Sequence, residues 1–335
     1  MLRRSATVLL LVFLSLAAHG QKERHFEFHY SFTVKNVTPG QRLRVWFPLA
    51  HSDPYQDVRV IAQTGDLELK KTQESEYGNS MLYAEVAKAT KPEYQVSVDY
   101  DVVRHEHVVL VDGKPVAGAG DQSKAARLQL TRFLQPDQLV PTTGLPADLA
   151  VEQTKSAPTQ LDKAHAIYEY VFKTMRYDKT GTGWGRGDTL WACDSKRGNC
   201  TDFHSLFISM ARSQRIPARF EIGFPIPADK HAADIAGYHC WSDFYVDSIG
   251  WVPIDISEAW KHQELHEYFF GAHDVNRVQF SVGRDIRLNP PQDGAPRNYF
   301  VYPYVEIDGK QYENVSIAFS FHDASAGPGS TTAAK

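Results

Sequence analysis

Three residues of this chain have the types and surroundings that covalent catalysis needs: Cys200, His239 and Asp255. Cys200 follows Gly198-Asn199, where a helix is expected to begin after a glycine-containing loop. A helix start presents unpaired N–H groups and a partial positive charge. Both favour a thiolate over a thiol, which lowers the thiol pKa and activates the sulfur near neutral pH. The same N–H groups can hold an oxyanion that develops during acyl transfer. A thiolate also needs a base within reach and a group that orients it. His239 lies in one expected strand and Asp255 in the next. If Tyr245 pairs with Trp251, Asp255 faces Trp241 and lies diagonal to His239, roughly 7–8 Å away at the backbone. A slip of one residue turns Asp255 to the other face. The pairing therefore demands a loop running from Val246 to Gly250.

The run GNCTDFHSLFISMARSQRIPARFEIG, followed by GYHCWSDFYVDSIGWVPIDISEA, resembles the core of the transglutaminase-like superfamily. That family pairs a Gly-x-Cys helix start with a His-x-Trp strand and a Gly-Trp-x-x-x-Asp strand. Cys200, His239 and Asp255 fall on its nucleophile, base and orienter positions, and Trp241 and Trp251 on its structural tryptophans. The resemblance spans about residues 160–260 and weakens outside them. It implies an α+β fold, with a papain-like core in which the Cys helix packs on an antiparallel sheet, preceded by a β-sandwich. It implies cysteine-dependent acyl transfer or amide hydrolysis, with no cofactor and no metal. An upstream indole N–H serving an oxyanion hole is a further implication, which makes Trp184 and Trp191 candidates. Their alternative is packing in a cleft wall or the core. Asn199 and Trp241 complete the cleft candidates.

Neighbouring residues admit plainer readings. Asp202 lies in the first helical turn, where an acid caps and complements the dipole. His204, four residues after Cys200, either lines the cleft or sits in the core behind it. Cys193 and Cys240 could pair and leave Cys200 as the odd thiol; the sequence leaves that open. A zinc site on Cys200, His239 and Cys240 has too few ligands at suitable spacing. His105 and His107 share a strand face, a pattern that metal sites sometimes use, but they read as solvated edge histidines. The Asn-x-Ser/Thr matches at Asn36, Asn199 and Asn314 read as chance.

The elements that must position the site follow from periodicity. Residues 25–109 alternate with period two, as in Phe26, Phe28, Tyr30 and Phe32, and are broken by turn dipeptides. They read as an N-terminal β-sandwich over 21–110, with 111–157 a connecting segment carrying one short helix. A helix capped by Thr159 buries Leu161, Ala164, Tyr168, Val171, Phe172 and Met175. The glycines between Thr180 and Asn199 argue against regular structure over most of that stretch. The helix from Cys200 buries Phe203, Leu206, Phe207 and Met210, and strands follow at 219–223, 238–246 and 251–256. Later β pattern at 277–282, 299–307 and 315–321 is assigned to the catalytic domain, 158–322, with 323–335 a disordered tail.

At 335 residues the chain exceeds one ordinary core, and its net charge of −4 comes without a dense Lys/Arg block, so nucleic-acid binding is not expected. Arg3 and Arg4 precede an apolar stretch, Ala6 to Ala18, ending in Ala18-His19-Gly20. This reads as a signal peptide over 1–20, so a secreted or periplasmic protein with no membrane segment in the mature chain. The expected activity is attack on peptide or side-chain amide bonds of a peptide or protein substrate. Hydrolysis is favoured, since water is abundant and no acidic calcium-type cluster accompanies the core. The alternatives are amine-dependent cross-linking and a non-catalytic peptide- or glycan-binding module. The oligomeric state is not legible.

Overall fold

The computed structural model describes residues 22–120, 123, 127–128 and 130–324. The expected signal peptide and the tail beyond 324 lie outside them. The strand Val315–Asp323 carries the ordered chain one residue past the expected start of that tail.

Strands β1 (Glu23–Val34), β2 (Leu43–Pro48), β3 (Gln56–Gly65), β4 (Lys70–Gln73), β5 (Ser80–Val86) and β6 (Tyr94–His105) come first. Helices α1 (Leu145–Thr154), α2 (Gln160–Thr174), α3 (Thr189–Ser195) and α4 (Cys200–Ser213) follow. Then come β7 (Ala218–Pro225), β8 (His239–Val246), β9 (Gly250–Ile254), α5 (Ile256–Lys261) and β10 (Arg277–Val282). Strands β11 (Tyr304–Ile307) and β12 (Val315–Asp323) close the chain.

One sheet has the order β12-β1-β6-β3, with Ala232–Asp234 beyond β12, and the facing sheet has β11-β2-β5-β4, with Lys310–Gln311 beyond β11. Both are antiparallel. The C-terminal strands therefore complete the N-terminal sandwich and do not extend the catalytic domain, which corrects the expected division at 158–322. The physical reason is that β1 pairs along its full length on one side with β6 and would be an open edge on the other. β12 covers that edge from Phe26↔Asp323 to Val34↔Val315.

The alternating face of β1 buries Phe26, Phe28, Tyr30, Phe32 and Val34. Each such aromatic stabilises by about 1.5–3 kcal/mol through area burial. Tyr30 meets Phe47 of the facing sheet at 4.4 Å between ring centres, while Phe28 meets Phe224 at 5.2 Å. Phe224 belongs to the sheet of β7–β10, so the sandwich and that sheet share one continuous core.

The sheet that carries His239 is antiparallel with order β9-β8-β7-β10. Helix α4 packs on one face of it, with Phe207 against Phe244 at 5.9 Å. The expected stripe on α4 is an underestimate, since every residue from Cys200 to Arg212 is buried. The helix runs through the middle of the molecule, with α1, α2, α3 and the sheet around it.

The short helix expected in the connector is α1, residues 145–154, which packs against α4. One segment is more regular than its composition suggests. Within 180–199, Asp188 accepts from the N–H groups of Leu190 and Trp191 and so nucleates α3, which buries Ala192 and Cys193. The glycines before Asp188 still lack regular structure.

Candidate active site

Cys200 is the first residue of α4, and the sequence before it builds that start. The Asn199 side chain accepts from Thr201 N at 2.9 Å, and Asp202 accepts from Asn199 N at 2.9 Å, a reciprocal capping box. Asp202 does more than cap. Its oxygens also take Gly185 N at 2.7 Å and Gly187 N at 3.0 Å, which ties the glycine loop onto the helix start. Burial pushes the Asp202 carboxyl up to about 6, against those three backbone donors. Gly198 fits because a Cβ there would stand 2.2 Å from Asp202 Oδ2, with φ at +150°. The glycine of the Gly-x-Cys run is thus a close-approach residue.

His239 opens β8, and the ladder between β8 and β9 pairs Tyr245 with Trp251 and Val246 with Gly250. The ladder ends at Ser242↔Ile254, so Asp255 is not in the strand as expected. It is the N-cap of α5, because its side chain serves the backbone N–H of Glu258 at 3.0 Å. From there Asp255 Oδ2 meets His239 Nε2 at 2.7 Å. With Nε2 occupied, Nδ1 is the ring nitrogen left for the Cys200 thiol, which hydrogen-bonds His239. All three side chains are buried.

Charge stabilises this line in one protonation state. Burial raises the Cys200 thiol pKa, but hydrogen bonds from Cys240 and His239 and the imidazolium charge override it. The net result is a thiol held well below its ordinary range. Burial lowers His239, yet the Asp255 charge and hydrogen bond and the bond to Cys200 raise it to about 10. Burial likewise opposes ionisation of Asp255, and His239 and Arg277 overcome it, so the carboxyl stays well below the usual range. The resting pair is a thiolate facing an imidazolium.

The other expected residues separate clearly. Trp241 donates its indole N–H to Glu221 Oε2 at 2.7 Å and lies under the Arg277 guanidinium, 4.8 Å from it. Trp184 donates its indole N–H to Gly181 O at 3.1 Å, a local turn contact. Trp191 packs on Gly183, where an added Cβ would fall 2.5 Å from its Nε1. Asn199 gives its oxygen to the cap and its amide N–H to Tyr238 Oη at 2.9 Å. Trp241, Trp184 and Asn199 thus each hold a structural partner. Cys193, Cys200 and Cys240 are all free thiols. His107 is buried and stacks on Tyr55, which corrects its reading as a solvated edge residue. It lies opposite His273 in a two-residue ladder that closes over it.

Residues 147–256 match the Transglutaminase-like superfamily. The chain carries a transglutaminase-like core. That core begins with α1, inside the segment expected to be a connector. An uncharacterized protein of Haemophilus influenzae is 27% identical in an alignment 314 residues long that covers 84% of each chain. The crystal structure of a candidate cysteine protease from Cytophaga hutchinsonii superposes with a TM-score of 0.58 at 15% identity. It spans 91% of this chain and 93% of that one, so the sandwich and the transglutaminase-like core recur together as a fold.

Sequence reasoning missed Arg277 and Tyr238. Tyr238 Oη accepts from Asn199 and pairs with Thr201 Oγ1 at 3.0 Å, beside Cys200. Its position directly before His239 was an available signal. Arg277, far along the chain, offered none.

Proposed function

We propose that this chain is an exported cysteine enzyme that cleaves peptide or side-chain amide bonds through a thioester on Cys200. The observation that carries the reading is the imidazole of His239, set between the Cys200 sulfur and the Asp255 carboxylate. The thiolate attacks the amide carbon, and the partial positive charge at the start of α4 favours the developing oxyanion. The C–N bond breaks as His239 passes its proton to the departing nitrogen. Water then attacks the thioester, His239 takes a proton from it, and a carboxylic acid leaves with the thiolate restored. Asp255 keeps the ring in the Nε2–H tautomer throughout.

Hydrolysis is favoured over cross-linking because water needs no second binding site. Export is supported by Arg3, Arg4 and the apolar stretch after them. The test is product mass from glutamine-containing peptides, with and without an added primary amine. A hydrolysed product, unchanged by the amine and absent with Cys200→Ala, supports the reading. Amine incorporation replaces it with a cross-linking enzyme. No product under either condition, with equal peptide binding by wild type and Cys200→Ala, replaces it with a binding module.

A further inference from the structure

Arg277 stands behind the orienting carboxylate. It opens β10 and is 2% exposed, with Nη1 donating to Asp255 Oδ2 at 3.1 Å. That oxygen is the one that also takes His239 Nε2. Nε and Nη2 of the same guanidinium each lie 3.1 Å from Asp274 Oδ1, and its flat face rests on Trp241. The group is held from three sides. Asp255 cannot leave His239 without also breaking a charge-assisted bond to a fixed partner.

We propose that Arg277 is a positioning residue for the reaction, keeping Asp255 ionised and aimed at His239 while the imidazole gives up and regains its proton. This rests on the catalytic reading of Cys200, His239 and Asp255 and deepens it.

The need for such a residue follows from the cycle. While His239 is cationic, Asp255 has a counter-charge. Once His239 has passed its proton on, Asp255 is a fully buried anion, and burial favours a proton on it. A protonated Asp255 no longer fixes the tautomer of the ring. A permanent cation at 3.1 Å removes that failure without itself titrating. The surrounding groups leave this duty to Arg277. His204, 3.7 Å from Asp255 Oδ1, has its Nε2 committed to accepting from Ile256 N. His273 is neutral for the same reason of burial, with the Arg277 charge adding to it. Glu258, 3.7 Å from His239 Nε2, and Asp274 oppose the cation, and Arg104 lies behind it.

The experiment follows alkylation of Cys200 by iodoacetate across pH, with peptide mapping to score that residue alone. The wild type should show a reactive window bounded by thiolate formation below and imidazolium loss above. Arg277→Met removes a cation, so the thiolate forms later and the imidazolium persists longer. Both limbs should move alkaline by about one pH unit, and Arg277→Lys should recover most of the shift. Asp274→Asn, which frees the guanidinium charge toward Asp255, should move the window the opposite way by about half a unit. A purely structural role would change the amount of reactive protein and leave the limbs in place. Unmoved limbs in Arg277→Met overturn the proposal, as does a lysine variant that matches methionine. If Arg277→Met does not fold, an unmoved window in Asp274→Asn overturns it. A wild-type window that survives His239→Ala instead defeats the underlying triad, and is told apart by that variant.

Discussion

His204 Nε2 and Asp255 Oδ1 lie 3.7 Å apart with both side chains fully buried, yet the contact is not an ion pair. The Ile256 N–H donates to His204 Nε2 at 3.1 Å, so that nitrogen carries no proton. Nδ1–H is then the donor to Cys200 O at 2.8 Å. A neutral imidazole thus clips the first turn of α4 to the first residue of α5, the two places from which the thiol and the carboxylate project.

Replacing His204 with Ala should strand the Ile256 N–H and leave a cavity, at a cost of about 2–4 kcal/mol. Burial lowers the folded pKa of His204. Its contribution is therefore present above the unfolded value of about 6.5 and lost as pH falls through the folded one. Urea midpoints of wild type and His204→Ala should diverge at neutral pH and draw together in acid. A gap that persists unchanged into acid would show that His204 is not held neutral.

The thiolate–imidazolium pair makes a separate prediction about stability. Cys200 is depressed and His239 is raised to about 10. Below about pH 6.5 the unfolded chain holds one more proton than the folded pair, so stability climbs with pH. From there to about 8.5 the two states hold equal numbers and the contribution is flat. Above about 8.5 the folded state holds the extra proton, and the contribution falls away as pH approaches about 10. Denaturation of wild type against Cys200→Ser across pH should trace this plateau. Cys193, whose thiol burial pushes up to about 11, should stay unlabelled where Cys200 reacts.

The strand register around His239 was legible because period-two pairing is an arithmetic constraint. Fixing Tyr245 opposite Trp251 settles every other partner on β8 and β9. The end of the ladder was not legible, since nothing in Ile254-Asp255-Ile256 distinguishes a strand residue from a helix cap until Glu258 N is in place. The partition of the chain was misjudged for a related reason. β12 alternates like any strand, and alternation does not say which edge a strand joins. The partner of Trp241 was not legible, because Glu221, on the neighbouring strand, meets its indole only once the sheet has formed.

Asp255→Asn tests whether the carboxylate is a charge or merely an acceptor. Oδ2 takes His239 and Arg277, while Oδ1 takes Ser257 Oγ at 3.1 Å and Glu258 N. An amide must set its NH2 against one of these donor pairs and leaves Arg277 without a buried counter-charge. A loss of about 3–5 kcal/mol is expected, with turnover down by roughly a thousandfold or more through the wrong imidazole tautomer. Because the Asp255 pKa is depressed, its contribution is present above about 3.9 and lost as pH falls through the folded value. The two variants should therefore converge only in strong acid. Comparable turnover in the Asn variant would mean that orientation alone suffices.

Gly198→Ala isolates the packing under the nucleophile. The methyl group would meet Asp202 Oδ2 at 2.2 Å and Asp202 Cβ at 2.6 Å, in a backbone conformation at φ +150°. Asp202 cannot retreat freely, since it holds the N–H groups of Gly185, Gly187 and Asn199. Gly40 supplies the control, with φ at +91° and nothing within 4 Å of an added Cβ. Gly40→Ala should cost about 1 kcal/mol of backbone strain alone. Gly198→Ala should cost at least about 2 kcal/mol more, and should slow Cys200 alkylation because the helix start moves with Asp202. Equal costs at the two glycines, with alkylation unchanged, would mean that the loop and the first turn of α4 are not coupled through Asp202.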